Sequence, residues 1–124
     1  MNTNFAMIRA IFGNKPFSAI YLSGDTVWYE GVAEVSQRFP VRIAILFMGA
    51  GRIPEVGPAH LTFTAEEAVE AARAFSDAVI IPLHYEGWAH FSESRKEIEG
   101  AFAKAGMKGR LRWMEPGCVT DLSN

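Results

Sequence analysis

Val41-Arg42-Ile43-Ala44-Ile45-Leu46-Phe47-Met48 is an almost unbroken apolar run with β-branched residues spaced through it. Its length suits a strand buried on both faces better than a helix, which needs about ten or more residues. The segments on either side sort themselves around it. Upstream, 29–39 (YEGVAEVSQRF) places Val32, Val35 and Phe39 at helical spacing, which predicts a short amphipathic helix. Further upstream, Phe5–Phe12 and Phe17–Leu22 are two strand-like runs separated by Gly13-Asn14-Lys15-Pro16, the pattern of a hairpin with a four-residue loop.

Downstream, Gly49–Phe63 is a loop rich in Gly and Pro. Thr64-Ala65-Glu66-Glu67 then matches a capping box and opens a helix over Ala65–Phe75. Ala78–Leu83 (AVIIPL) is a second buried-strand run, with Pro82 marking its end. Ser92 or Ser94 can cap a last helix carrying Ile98, Phe102 and Ala105 on one face, stopped by Gly106. Arg110–Met114 alternates polar and apolar, as an edge or half-exposed strand does. The order β-β-α-β-α-β-α-β argues for an α/β sheet with layered helices.

The 124 residues fit one domain spanning 1–124, with no repeat, low-complexity tract or linker. An apolar share of 49% with 21% charged residues places the chain among folded proteins rather than disordered ones. Twelve Lys and Arg against fourteen Asp and Glu give a net charge of -2, which is no footprint for nucleic acid. The single Cys118 excludes an intramolecular disulfide and fits a reducing compartment. No apolar run approaches the ~20 residues of a membrane span. Met1–Ala10 has no signal-peptide layout. The expectation is therefore a cytoplasmic domain with neither a membrane nor a nucleic-acid partner. Its mean hydropathy of +0.06 is high for so small a chain, whose large surface should demand polar cover.

Chemistry concentrates at the strand ends, where open α/β sheets bind ligands. These ends carry Ser23-Gly24-Asp25-Thr26, Met48-Gly49-Ala50-Gly51 and Leu83-His84-Tyr85-Glu86. Asp25 and His84 are suitable ligands for Zn²⁺ or a similar cation. Each also has a structural alternative. Asp25 can cap the helix near residue 29 or make an Asx-turn with Thr26, and His84 can be a hydrogen-bonded core histidine. Trp28, Tyr29, Tyr85 and Trp88 can wall a pocket or simply pack. His90 is a candidate substrate contact or a surface histidine. His60, in the Gly/Pro loop, reads as solvated, with substrate contact as its alternative. Gly49-Ala50-Gly51 lacks the third glycine of a dinucleotide loop and has Pro54 where a helix should start. Cys118 has no basic neighbour to activate it as a nucleophile.

Read as words, these segments are more specific. Tyr21-Leu22-Ser23-Gly24-Asp25-Thr26-Val27-Trp28-Tyr29 and Ile81-Pro82-Leu83-His84-Tyr85-Glu86-Gly87-Trp88 resemble the metallo-β-lactamase superfamily, and within it the lactonase-like metal-dependent hydrolases. Met48-Gly49-Ala50-Gly51, Leu61-Thr62-Phe63-Thr64 and Arg112-Trp113-Met114-Glu115-Pro116-Gly117 extend the likeness over roughly residues 17–117. The resemblance implies a four-layer αββα sandwich with metal at one rim of its sheets. It gives Asp25 the position of the carboxylate bridging two cations and His84 that of the final histidine ligand. His90, Trp28 and Trp88 become candidate substrate contacts. The implied activity is hydrolysis of an ester, lactone or phosphoester by metal-bound hydroxide, with zinc, manganese or iron as the metal and a small molecule as the substrate.

One element of the pattern is missing. The family signature His-x-His-x-Asp-His does not occur, and the histidines His60, His84 and His90 form no i, i+2 pair. The chain thus resembles the C-terminal half of the fold and carries two ligands where catalytic zinc sites use three. Two expectations follow. Either a complementary N-terminal half supplies the remaining ligands, or the chain is a non-catalytic truncated module that forms a homo-oligomer or binds a partner through an exposed sheet face.

Overall fold

The alternation of apolar runs resolves into a sheet with all of its helices on one side. The computed structural model describes residues 6–12, 15–87, 89 and 91–122. Strands β1 (Ala6–Phe12) and β2 (Lys15–Leu22) form an antiparallel hairpin. Helix α1 (Glu30–Arg38) leads to β3 (Val41–Phe47), and α2 (Ala65–Ala74) leads to β4 (Val79–Leu83). Helix α3 (Arg95–Lys104) and a 3₁₀ turn at Lys108–Arg110 follow. The sheet order is β1-β2-β3-β4, with β2, β3 and β4 parallel.

Two successive crossovers run in the same direction across the sheet, from β2 to β3 and from β3 to β4. Parallel crossovers are right-handed, so α1 and α2 must lie on the same face. The register shows the result. Tyr21 pairs with Ala44 and Ala44 with Ile80, and Leu46 pairs with Pro82. Tyr21, Ala44, Leu46 and Ile80 pack with Val32 and Val35 of α1, Ala68 and Ala72 of α2, and Ile98 and Phe102 of α3 in one core, all of them buried. Ala68, Ala71 and Ala72 of α2 are fully buried in this core, and α3 packs on α2. The alternate strand positions face the other way: Ile20, Leu22, Ile43, Ile45, Phe47, Val79, Ile81 and Leu83. Among the described residues none of them belongs to the helix-side core, and six are only half-buried. The β3 run is therefore covered by helices on one face only, although its composition suits burial on both.

Local chemistry fixes the helix ends. At α2, Thr64 Oγ1 accepts from Glu67 N–H at 3.1 Å, and the Glu67 carboxylate accepts from Thr64 N–H at 3.1 Å, as the capping box requires. At α3 the N-cap is Ser94 rather than Ser92. The Glu97 carboxylate accepts from Ser94 N–H at 2.8 Å and from its hydroxyl, and these bonds hold the Glu97 carboxyl below the usual range. Gly106, at φ +74°, ends α3 in a left-handed turn that lets Met107 N–H reach Phe102 O at 2.8 Å.

Two boundaries differ from the sequence reading. Strand pairing continues to Phe12↔Lys15, so Lys15 and Pro16 belong to β2 and the turn is shorter than four residues. Proline is tolerated there because pairing with β3 starts only at Ala19, which leaves its missing N–H without a ladder partner on that side. Phe5, Gly13 and Asn14 lie outside the described residues. The expected last strand, Arg110–Met114, is reduced to one bridge between Leu111 and Ile80, with Arg112 N–H donating to Ile80 O at 2.9 Å. Arg110 is the reason. Its guanidinium donates to the carbonyls of Ala72 (2.7 Å), Phe75 (2.5 Å) and Ala78 (2.8 Å), closing the end of α2 and the turn into β4. That anchor commits the chain to a turn where a ladder would otherwise begin.

Candidate metal centre

Because β2, β3 and β4 are parallel, their C-terminal ends deliver three loops to one rim. Each loop leaves its strand through a special backbone position. Gly24 has φ +64° and Gly49 φ +92°, while Ala50 (φ 47°) and His84 (φ 60°) are non-glycine residues in the left-handed region. Gly49 is obligatory twice over, since a Cβ would lie 2.9 Å from the Phe91 ring and 3.1 Å from Tyr85 Cα. The strain at His84 is stored at a candidate ligand, where such outliers gather.

Hydrogen bonds hold the three exits together. Ser23 Oγ accepts from Phe47 N–H at 2.9 Å and donates to Gly24 O at 2.9 Å, tying the ends of β2 and β3. Thr62 Oγ1 accepts from Gly51 N–H and donates to Met48 O, both at 2.8 Å, pinning the glycine loop from beneath. Ser92 joins from the far side, its N–H donating to Gly49 O at 2.8 Å and its hydroxyl to Ala50 O at 3.2 Å.

In this frame Asp25 and His84 meet. Asp25 Oδ1 lies 3.4 Å from His84 Nδ1, with the carboxylate side chain 63% exposed and the imidazole 33%. The histidine ring is wedged between Phe47 and Phe91, at 5.0 Å from each ring centre. Its Nδ1 is buried and makes no hydrogen bond. A buried imidazole nitrogen that makes no hydrogen bond and faces a carboxylate at 3.4 Å suits a shared cation. The N-cap of α1 is Tyr29 and shows no side-chain cap bond, so Asp25 does not cap that helix. The donor types therefore fit a cation, but their number does not complete a site. Among the described residues no group of three His, Cys, Asp or Glu side chains converges.

The other candidates fall elsewhere. Trp28 and Tyr29 are half-buried and pack against the helix-side core, as do Tyr85 and Trp113. Tyr85 meets Trp113 edge-on at 5.4 Å, and Arg95 stacks on the same indole at 4.3 Å. Trp88 and His90 lie outside the described residues. Cys118 is exposed. His60 departs from its reading as a solvated histidine: its Nε2 lies 2.6 Å from Glu67 Oε1 and the side chain is half-buried. Sequence reasoning saw Glu67 only as a capping residue. The same carboxylate also accepts from Trp28 N–H at 2.9 Å, across 39 positions of sequence, which no local pattern reveals. No helix among the described residues is long and apolar enough to cross a membrane.

No family model matches the sequence. Individual proteins do. UPF0173 protein YddR of Bacillus subtilis is 25% identical over 107 residues, covering 86% of this chain and 41% of that protein. A UPF0173 metal-dependent hydrolase of Myxococcus xanthus is 26% identical over 103 residues, 83% of this chain and 34% of its own length. Among solved structures, an isothiocyanate hydrolase from Delia radicum gut bacteria superposes with a TM-score of 0.75 at 24% identity, over 87% of this chain and 41% of that one. The chain thus has a partial metallo-β-lactamase-like fold and spans about two fifths of the length of these relatives.

Proposed function

We propose that this chain is the C-terminal half of a metal-dependent hydrolase, in which Asp25 and His84 supply two ligands of the cation site. The observation that carries the reading is the orphaned Nδ1 of His84, buried at the rim of the sheet and 3.4 Å from Asp25 Oδ1. The relatives named metal-dependent hydrolases support the class of reaction. A bound cation would polarise a carbonyl or phosphoryl oxygen and acidify water for hydrolysis of an ester, lactone or phosphoester, with zinc, manganese or iron each compatible with these donors. Within this chain Asp25 balances cation charge, and His84, locked between Phe47 and Phe91, presents its nitrogen in one orientation. His90, Trp28 and Trp88 stand, by the resemblance, as candidate contacts for a small substrate. The remaining ligands come from a complementary segment bearing His-x-His-x-Asp-His. Its sheet would lie on the half-buried face of Ile20, Ile45 and Leu83 and complete a four-layer sandwich.

A zinc titration followed by the NMR signals of the His84 ring and of the Gly24 and Asp25 backbone amides tests this. Zinc is expected to shift that ring and those amides in the native chain, weakly because two donors hold it, and the amide response is expected to vanish in Asp25→Asn and in His84→Gln. A response untouched by both substitutions refutes the reading. The same apolar face favours a second reading, a non-catalytic module that self-associates through it. Light scattering that grows with concentration, together with a ring silent to zinc, would select that reading.

A further inference from the structure

The loop that presents Asp25 is held at two points. On one side Ser23 N–H donates to Ile45 O at 3.0 Å, at the end of β2. On the other, Val32 N–H donates to Tyr29 O at 3.0 Å as α1 begins. Between them, among the described residues, one hydrogen bond ties the backbone of 24–28 to a distant segment: Trp28 N–H to Glu67 Oε2 at 2.9 Å. The other oxygen of that carboxylate accepts from Thr64 N–H at 3.1 Å and from His60 Nε2 at 2.6 Å. One half-buried carboxylate thus fastens the Asp25 loop, the Gly/Pro loop and the start of α2 together. Asp25 itself is mostly exposed, and the space around Gly24 before it is open, with nothing within 4 Å of a Cβ placed there. Besides the Trp28 bond, Ser23 Oγ donates to Gly24 O at 2.9 Å and His84 Nδ1 lies 3.4 Å from the carboxylate.

We propose that Glu67 is a positioning residue for the cation site: through the Trp28 amide it holds the Asp25 loop so that the carboxylate stays within reach of His84, and His60 holds Glu67 in place. The proposal rests on the reading of Asp25 and His84 as a cation-binding pair. Glu67 touches neither the cation nor a substrate in this arrangement. A side chain chosen only to cap α2 needs its bond to Thr64 and neither of the others. Net charge is a competing route, since any anion near the rim would favour a cation, and the variants separate the two.

Two measurements on the full chain test the idea: amide hydrogen exchange at Trp28, which needs no metal, and the zinc affinity read from the His84 ring. Glu67→Ala is expected to speed Trp28 exchange and weaken zinc binding, each by about tenfold, the worth of one charge-assisted hydrogen bond. Glu67→Gln removes the charge but keeps an oxygen for the Trp28 amide, and is expected to restore both within about twofold. Thr64→Ala removes the other half of the capping box while sparing the Trp28 bond, and should leave both readings as in the native chain. His60→Ala, which frees one side of the carboxylate, should give a smaller loss than Glu67→Ala and serves in its place should that variant unfold. Native exchange and affinity in Glu67→Ala, or equal losses in Thr64→Ala, would overturn the proposal. So would a failure of Glu67→Gln to restore either reading. If Asp25→Asn and His84→Gln leave the zinc response intact, the cation reading fails, and Trp28 exchange still decides whether Glu67 anchors the loop.

Discussion

The two faces of this sheet are made by the same strands and the same alternation, and they end differently. On one face Tyr21, Ala44, Leu46 and Ile80 are fully buried under α1, α2 and α3. On the other, Ile20, Leu22, Ile45, Phe47, Val79 and Leu83 are as apolar but only half-buried. Hydrophobicity alone does not choose between them. Chirality does, because two right-handed crossovers stepping the same way along β2, β3 and β4 put both helices on one side. The high mean hydropathy of the chain is explained by this asymmetry. Strands that carry apolar residues on both faces are supplied here with helices for one.

Truncating one strand residue on each face tests this asymmetry most directly. Leu46→Ala, beneath the helices, is expected to cost about 3–5 kcal/mol, since the cavity it leaves is enclosed on all sides. Ile45→Thr, its neighbour on the opposite face, is expected to cost less than about 1 kcal/mol in the same urea titration. It should also reduce any concentration-dependent association, whose presence would mark that face as sticky. Equal costs would mean that the second face is as well packed as the first. The distinction between them would then fall.

Arg110 offers a second test, at the seam where the helix layer is joined to the sheet. Its guanidinium serves three carbonyls at the end of α2 and the entry to β4, and burial lowers its pKa from the ordinary arginine value. Arg110→Met keeps most of the apolar stem but leaves those carbonyls without their donor. A loss of about 2 kcal/mol is expected, measured as a lower urea midpoint at unchanged slope. A loss no larger than that of an exposed charge would show that water replaces the guanidinium freely. The helix layer would then need no such fastening.

How much of this was legible in the sequence follows the same division. Elements whose signal is local were readable within a residue or two. The Val41–Met48 run gave β3, the Thr64 to Glu67 spacing gave the start of α2, and Val32 with Val35 gave the buried side of α1. The strand ends could be named because a parallel sheet must deliver them to one rim, and this brought Asp25 and His84 together before any distance was known. What escaped is long-range. The bond from Trp28 to Glu67 spans 39 positions and that from Arg110 to Ala72 spans 38, and neither leaves a period or a spacing behind. The last strand was misjudged for the same reason. Arg110–Met114 alternates correctly, but the pattern does not disclose that Arg110 is occupied elsewhere. His60 looked free because its partner lies on the helix that follows, seven residues on, across a turn rather than along an element.

The smallest expected effect at neutral pH belongs to Tyr21, which packs against Phe75 with ring centres 5.2 Å apart on the helix-covered face. Burial raises its phenol above the ordinary value of 10.0, with the charge of Tyr29 adding in the same direction. Folding therefore favours the neutral phenol. Its contribution is fully present below the unfolded pKa, and it diminishes as the pH climbs above about 10, where the unfolded chain begins to release a proton that the folded chain retains. Stability should accordingly be flat around neutrality and fall steadily from about pH 10 upward. Tyr21→Phe should remove most of that slope. Tyr85, also raised by burial but closer to solvent, leaves a residual slope in the same direction. Urea midpoints of the two proteins at each pH decide the matter. If the native chain and Tyr21→Phe lose stability in parallel, the phenol is solvated in the folded state, and the helix-covered face is wetter than its packing implies.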